Sequence, residues 1–361
     1  MIAWILSVIA SLSLLHYQPQ TAPAGNQEKV SAAASENPFF ARDDIVELTL
    51  ALPLQNILKD RGPTPGFHPA LLTYRDTAAA LKTTAVQVKV RGNRRKDPTV
   101  CGFPPLLVSF PPDILGSPFG QVKELKLITH CLSDTYTLRE YLVYKVYNLL
   151  TDKSFRVRLC RITYKDNARK GRADVHYAFF LEEAKAMAAR NDATLVPKQF
   201  FIGMEHMNQK DMATLALFQY MIGNTDWSVP YRHNIRMLSI NQQVKPVAVA
   251  YDFDYSGIVM APYAVPPEQL GITSVRQRLF RGYDFPPETY AEAIKLFNSR
   301  RPAIYNVYLS CPYLDQEEKL FATRYLDDFY KTLNNAKDFE RSIVRAGIRN
   351  GQRYTNVKGL E

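Results

Sequence analysis

The chain has only four cysteines in 361 residues, and none of them are spaced as a metal-binding pair, which argues against a structural zinc site. After the first fifteen residues no segment approaches the ~18 apolar residues of a membrane-spanning helix, so the body of the chain is not expected to be an integral membrane protein. No internal repeat is present, which excludes solenoid and propeller architectures. There is no polybasic arm, no zinc-finger spacing and no recognisable nucleic-acid module, so nucleic acid is not an expected partner. What is present is globular: hydrophobic residues are 46% of the chain and charged residues 22%. The length suits two lobes better than one small domain. The net charge is +10, spread as +6 over residues 28–183 and +4 over residues 184–361. That spread describes a basic protein surface and is also compatible with phosphate-bearing ligands.

The N-terminal run Met1–Leu15 is apolar and uncharged. It breaks into His16, Tyr17, Gln18, Pro19 and then the small residues Thr21 to Gly25. This reads as a signal peptide over residues 1–25, with an uncleaved N-terminal anchor as the alternative. Export to the periplasm or outside the cell is therefore expected, followed by a linker over residues 26–42. An oxidising compartment permits disulfides, and Cys101 and Cys131 flank two neighbouring predicted strands. Cys160 falls inside an alternating strand and reads as a buried thiol.

Hydrophobic periodicity divides the remainder. Residues 44–52 carry β-branched residues and alternation and 54–59 read as a short helix; strands are predicted at 86–91, 106–110, 125–130, 155–164 and 176–181, with a helix at 138–150. The nucleotide-covering part is read as three strands, one helix and two strands. From Ala184 onward helices dominate: 184–190, 211–222 closed by Gly223, 287–300, 316–333 and 337–345. A short strand is predicted at 247–251.

Chemistry-bearing residues concentrate between Gly223 and Gly257. Asp226 lies in a loop directly after a helix. Asn234 enters an apolar run, and Asp252 and Asp254 follow a short strand. Phosphoryl transfer needs this layout: a loop carboxylate that orients or deprotonates a hydroxyl, then an Asn and a carboxylate that hold magnesium through oxygen. Taken singly, each is also an ordinary turn residue. Earlier in the chain, Lys126 on the third predicted strand and Glu140 on the following helix match the Lys–Glu pair of a kinase small lobe. They also read as an exposed strand Lys and a solvated helix Glu. Arg91, Gly92, Asn93 and Arg94, with Arg95 and Lys96, form a basic turn that can fold over phosphates or stand as a solvated hairpin tip. The turn has no GxGxxG pattern. The segment ending at Glu182 occupies the position of a kinase hinge.

The motifs R-G-N at 91–93, I-G-N-T-D-W at 222–227, H-N at 233–234 and Y-D-F-D-Y-S-G at 251–257 resemble those of atypical kinases of the spore-coat CotH type and, more distantly, HipA-type toxin kinases. The motifs C-x-F-P-P-L at 101–106 and L-K-L-x-T-H-C at 125–131 resemble a set of exported bacterial proteins. The likeness covers roughly residues 85–260. It implies an α+β, two-lobed protein-kinase-like fold, with a strand-rich N-lobe over 43–183 and a helical C-lobe over 184–361. It also implies ATP and Mg2+ as cofactors, Asp226 as catalytic base, and metal ligands at Asn234 and Asp252. Asp254 competes with Asp252 or joins it as a second ligand. The spacing departs from that pattern. Such kinases place the Asn about five residues after the Asp, whereas here eight residues separate them, and Asn224 is an alternative ligand. The expected activity is transfer of the γ-phosphoryl of ATP to a hydroxyl of an envelope or secreted protein or of a small molecule. The alternative is a pseudokinase-like binding protein.

Overall fold

Alternating apolar residues in the first half of the chain make strands that each present one apolar face, and such faces are stable only when they meet. The computed structural model describes residues 37–352 apart from 113, 115, 116, 121, 168–172 and 242. The expected leader, and all of the linker before residue 37, lie outside the described residues. Seven strands close into a barrel: β1 (Val46–Leu52), β2 (His68–Arg75), β3 (Leu81–Val90), β4 (Leu106–Ser109), β5 (Glu124–Ile128), β6 (Val157–Asp166) and β7 (Asp174–Leu181). Their order is β1-β2-β3-β4-β5-β7-β6. Closure comes from β1 lying parallel to β6, from Val46 opposite Cys160 to Leu52 opposite Asp166. Inward-facing Leu50, Leu72, Val88, Val108, Leu127 and Phe180 fill the interior, as expected for so small a barrel.

A closed seven-stranded barrel is not the sheet of an ordinary kinase N-lobe, so the strand-rich part departs from the expected architecture. The short helix α1 (Leu54–Lys59) forms as expected, and two strands more than expected, β1 and β2, precede the helix α2 (Asp134–Leu150) in the same sheet. Pro69 near the start of β2 masks it, since proline cannot donate to a ladder. The chain tolerates it because β1 pairs only with Leu71 to Thr73 of β2, beyond Pro69. Lys126 is consequently on the fifth strand, not the third. Cys101 and Cys131 are disulfide-bonded across 30 residues. Cys160 is a free thiol in the barrel interior.

A second apolar core gathers the helices. α2 lies between β5 and β6 in the chain, yet its Leu142, Val146 and Leu150 belong to this core. There α2 packs against α4 (Gln209–Ile222) and α5 (Pro287–Leu309). α3 (Ala184–Arg190) leads into a three-stranded sheet in the order β10-β9-β8, made of β8 (Ala193–Leu195), β9 (Ile235–Ile240) and β10 (Val247–Ala250). α6 (Gln316–Asn334), α7 (Ala336–Phe339) and α8 (Arg345–Gln352) complete the part, and α5 continues past Arg300 through Pro302. Leu125 and Leu127 point into the barrel, whereas Ile128, Phe179 and Leu181 belong to the helical core. Alternation along β5 puts Lys126 on the face it shares with Ile128. Among the described residues no helix is long and apolar enough to cross a membrane.

Candidate active site

The β9–β10 hairpin sets one wall of the site. Ile235 pairs with Ala250 at its open end, and the Tyr251 N–H donates to the Asn234 carbonyl at 3.0 Å. Asn234, one residue before β9, therefore sits beside Asp252, two residues after β10. Both have left-handed backbones, with φ of 51° and 65°, a region that Asn and Asp tolerate better than other side-chain-bearing residues. The second wall is the end of α4. Gly223 caps it at φ 67°, and a Cβ there would overlap the Tyr325 hydroxyl. Gly257 and Ile258 donate their N–H groups to the carbonyls of Gly223 and Ile222, joining the segment after β10 to the helix end.

Asp226 is held from three sides. Its N–H donates to Asn224 Oδ1 at 3.0 Å, His233 Nε2 lies 3.1 Å from Oδ1, and Asn234 Nδ2 donates to Oδ2 at 2.9 Å. Asn224 is 1% exposed, and its Nδ2 donates to Gln219. Both ends of the Asn224 amide are thus engaged, one by Gln219 of α4 and the other by the Asp226 N–H. Asn224 positions Asp226 and, buried at the end of α4, does not line the cavity that holds the other expected ligands.

Asp226, Asn234 and Asp252 line a cavity of about 320 Å³ together with Arg91, Gly92, Asn93, Arg94, Arg95, Lys126, His233, Arg236, Tyr251, Asp254 and Tyr255. That volume lies at the lower end of the range for small-molecule sites. Gly92, at φ 98°, turns the chain out of β3 so that the following arginines reach the cavity. Lys96 does not join them, since its Nζ donates to the Gly62 carbonyl.

Lys126 and Glu140 do not pair. Arg95, 8% exposed, takes the Glu140 carboxylate with Nη1–Oε2 at 3.0 Å and Nη2–Oε1 at 3.5 Å. The same guanidinium binds Asp252 Oδ1 at 2.8 Å and Asp254 Oδ2 at 3.2 Å. Arg95 outcompetes Lys126 because its planar fork can meet several carboxylates at once. Glu182 is also absent from the cavity wall. Its carboxylate is buried against Arg190, with distances of 3.1 and 3.0 Å, and its N–H donates to the Arg156 carbonyl. A backbone N–H engaged in this way cannot also read a base.

The cavity separates charge. On the acidic side, burial pushes the Glu140 carboxyl up and the Asp254 carboxyl well up, although the Arg95 cation opposes both shifts. On the basic side, Lys126 is pushed down to about 8 by burial and then by Arg91 and Arg236, against the pull of Asp252. Burial lowers Arg91 as well. Lys126 and Arg236 both lie against the Tyr251 ring, 5.7 and 4.6 Å from its centroid. Among the described residues Arg91, Arg94, Lys126 and Arg236 line the cavity and form no salt bridge, although Asp252 attracts Arg91 and Lys126 at longer range. Also among the described residues, no three His, Cys, Asp or Glu side chains converge as a metal cage.

Sequence reasoning missed Arg95 as the clamp, and also His233, Arg236 and Tyr255 as wall residues. Arg236 carried a signal. It is a cation at the start of β9, only two residues from the proposed ligand Asn234.

No family model matches the chain, and no curated protein matches it. The CotH-type resemblance thus has no support from a family or a sequence relative. Two solved structures are weak neighbours. The Helicobacter pylori proinflammatory kinase CtkA gives a TM-score of 0.34 at 12% identity, over 81% of this chain and 96% of that one. HipA of Shewanella oneidensis, from its toxin–antitoxin complex with HipB and operator DNA, gives 0.31 at 13% identity, over 70% and 61%. Likeness at this level carries no argument about activity.

Proposed function

We propose that this chain is an exported atypical kinase that transfers the γ-phosphoryl of ATP to a hydroxyl, with the barrel as nucleotide-covering lobe and the helical part as catalytic lobe. One observation carries the reading: a single cavity joins a carboxylate held by two hydrogen-bonding side chains, a set of oxygen donors, and cations that form no salt bridge among the described residues. Polyanionic phosphates suit the basic side, where Arg91, Lys126 and Arg236 bind their oxygens. Magnesium suits the other side. Asp252 Oδ2 and Asn234 Oδ1 accept no hydrogen bond among the described residues, while Arg95 engages only Oδ1 of Asp252. Magnesium commonly binds through one or two carboxylates plus substrate phosphates, so the lack of an all-protein cage agrees with it. When bound with ATP, the ion supplies neutralisation of charge on the transferring group. Asp226 accepts the proton of the acceptor hydroxyl, and Asn234 and His233 hold its carboxylate in place. The apolar leader and the Cys101–Cys131 bridge support export.

The second reading, a pseudokinase, is favoured by the fact that both Asp226 oxygens are already engaged. Labelling with γ-labelled ATP separates the two. The kinase reading expects incorporation in wild type and none in Asp226→Ala, with the two proteins melting at nearly the same temperature. Magnesium-ATP that raises the melting temperature of wild type without any labelling establishes the pseudokinase. Neither labelling nor a thermal shift overturns both.

A further inference from the structure

Protein kinases hold two magnesium ions through the Asp after a strand and the Asn of the catalytic loop. Here a guanidinium already occupies the carboxylates at the first of those positions. We infer that Arg95 replaces one of the two cations, so that the site loads a single divalent ion with nucleotide. The inference rests on the kinase reading above and concerns how that site is charged.

Two observations carry it. First, Arg95 bridges both carboxylates after β10, with Nη2 on Asp252 Oδ1 at 2.8 Å and Nε on Asp254 Oδ2 at 3.2 Å. Its third contact fastens it to Glu140 on α2. Glu140 and Asp254 are 2% and 6% exposed, so Arg95 cannot swing away without leaving buried carboxylates uncompensated. Second, the backbone presenting Arg95 is fixed. Asp97 N–H donates to the Arg94 carbonyl, Cys101 N–H donates to the Asp97 carbonyl, and Cys101 is bonded to Cys131. An arginine does not lose its charge, so it serves as a permanent cation there.

The test counts Mn2+ by the loss of its free-ion EPR signal, on full-length protein saturated with a non-hydrolysable ATP analogue. Wild type is expected to bind one ion per chain, and Arg95→Lys, which keeps the charge, also one. In the double variant Arg95→Met with Glu140→Gln, which removes the cation and one carboxylate together, a second ion is expected. Two ions in wild type overturn the inference while leaving the kinase reading intact. One ion in wild type and one in the folded double variant also overturn it, since Arg95 would then not be what excludes the second. Absence of any nucleotide-dependent Mn2+ binding overturns the kinase reading and the inference with it.

Discussion

Glu140→Gln probes the charge imbalance around Arg95 directly. With all groups ionised, three carboxylates meet one guanidinium, and the cluster carries two surplus negative charges in a buried place. Removing the Glu140 charge forfeits a charge-assisted hydrogen bond worth ~1.5–3 kcal/mol. It also removes repulsion on Asp252 and Asp254, and unit charges a few ångströms apart at an effective dielectric of ~20 repel by ~4 kcal/mol or less. The two effects oppose and are similar in size, so the variant is expected within about 1 kcal/mol of wild type at neutral pH. Arg95→Met is the contrast. It strips the cation from all three carboxylates and is expected to cost ~3–5 kcal/mol.

The pH dependence has a definite sign. Burial raises the Glu140 and Asp254 carboxyls in the folded state, so the folded protein binds more protons than the unfolded chain. Stability from this cluster rises as pH falls through the raised values and levels off near the ordinary 4.5 for Glu140. Glu140→Gln should flatten part of that rise. Urea titration followed by the fluorescence of Trp227, which is 2% exposed in the helical core, reads both quantities. If Glu140→Gln loses as much stability as Arg95→Met, the idea of surplus negative charge is wrong.

Two further outcomes follow from the same cavity and its surroundings. Lys126 titrates near 8, so affinity for inorganic triphosphate should fall as pH rises past that value, by at most about tenfold per pH unit. Calorimetric titration of wild type and Lys126→Met from neutral pH upward checks this, and an unchanged slope in the variant would remove Lys126 from the phosphate-binding side. Breaking the Cys101–Cys131 bridge, by reductant or by serine at both positions, opens a loop of 30 residues and should cost about 3–4 kcal/mol on chain-entropy grounds. Equal melting temperatures with and without reductant would count against any stabilising role for the bridge.

The sequence by itself determined the local periodicities and much of the cavity wall. Alternation marked β3 and β6, flanking prolines marked the buried run of β4, the 3.6-residue repeat marked α2 and α4, and Gly223 marked the end of α4, because each signal lies within a few neighbouring residues. Asp226, Asn234, Asp252 and Asp254 stood out because oxygen-bearing side chains at element ends are where such chemistry is built. Tertiary structure alone decided which of them meet, and what else meets them. In the basic turn at 91–96 the cations look equivalent, yet only Arg95 is delivered into the carboxylates while Lys96 turns to the Gly62 carbonyl. Glu182 reads as a hinge residue until Arg190 takes its carboxylate. The barrel closes only because β1 finds β6, more than a hundred residues away in the chain. A strand's pattern says that a face must be buried and is silent on which strand will cover it. Partner choice is set by packing and by the reach of single side chains, and neither is written in the spacing of residues along the chain.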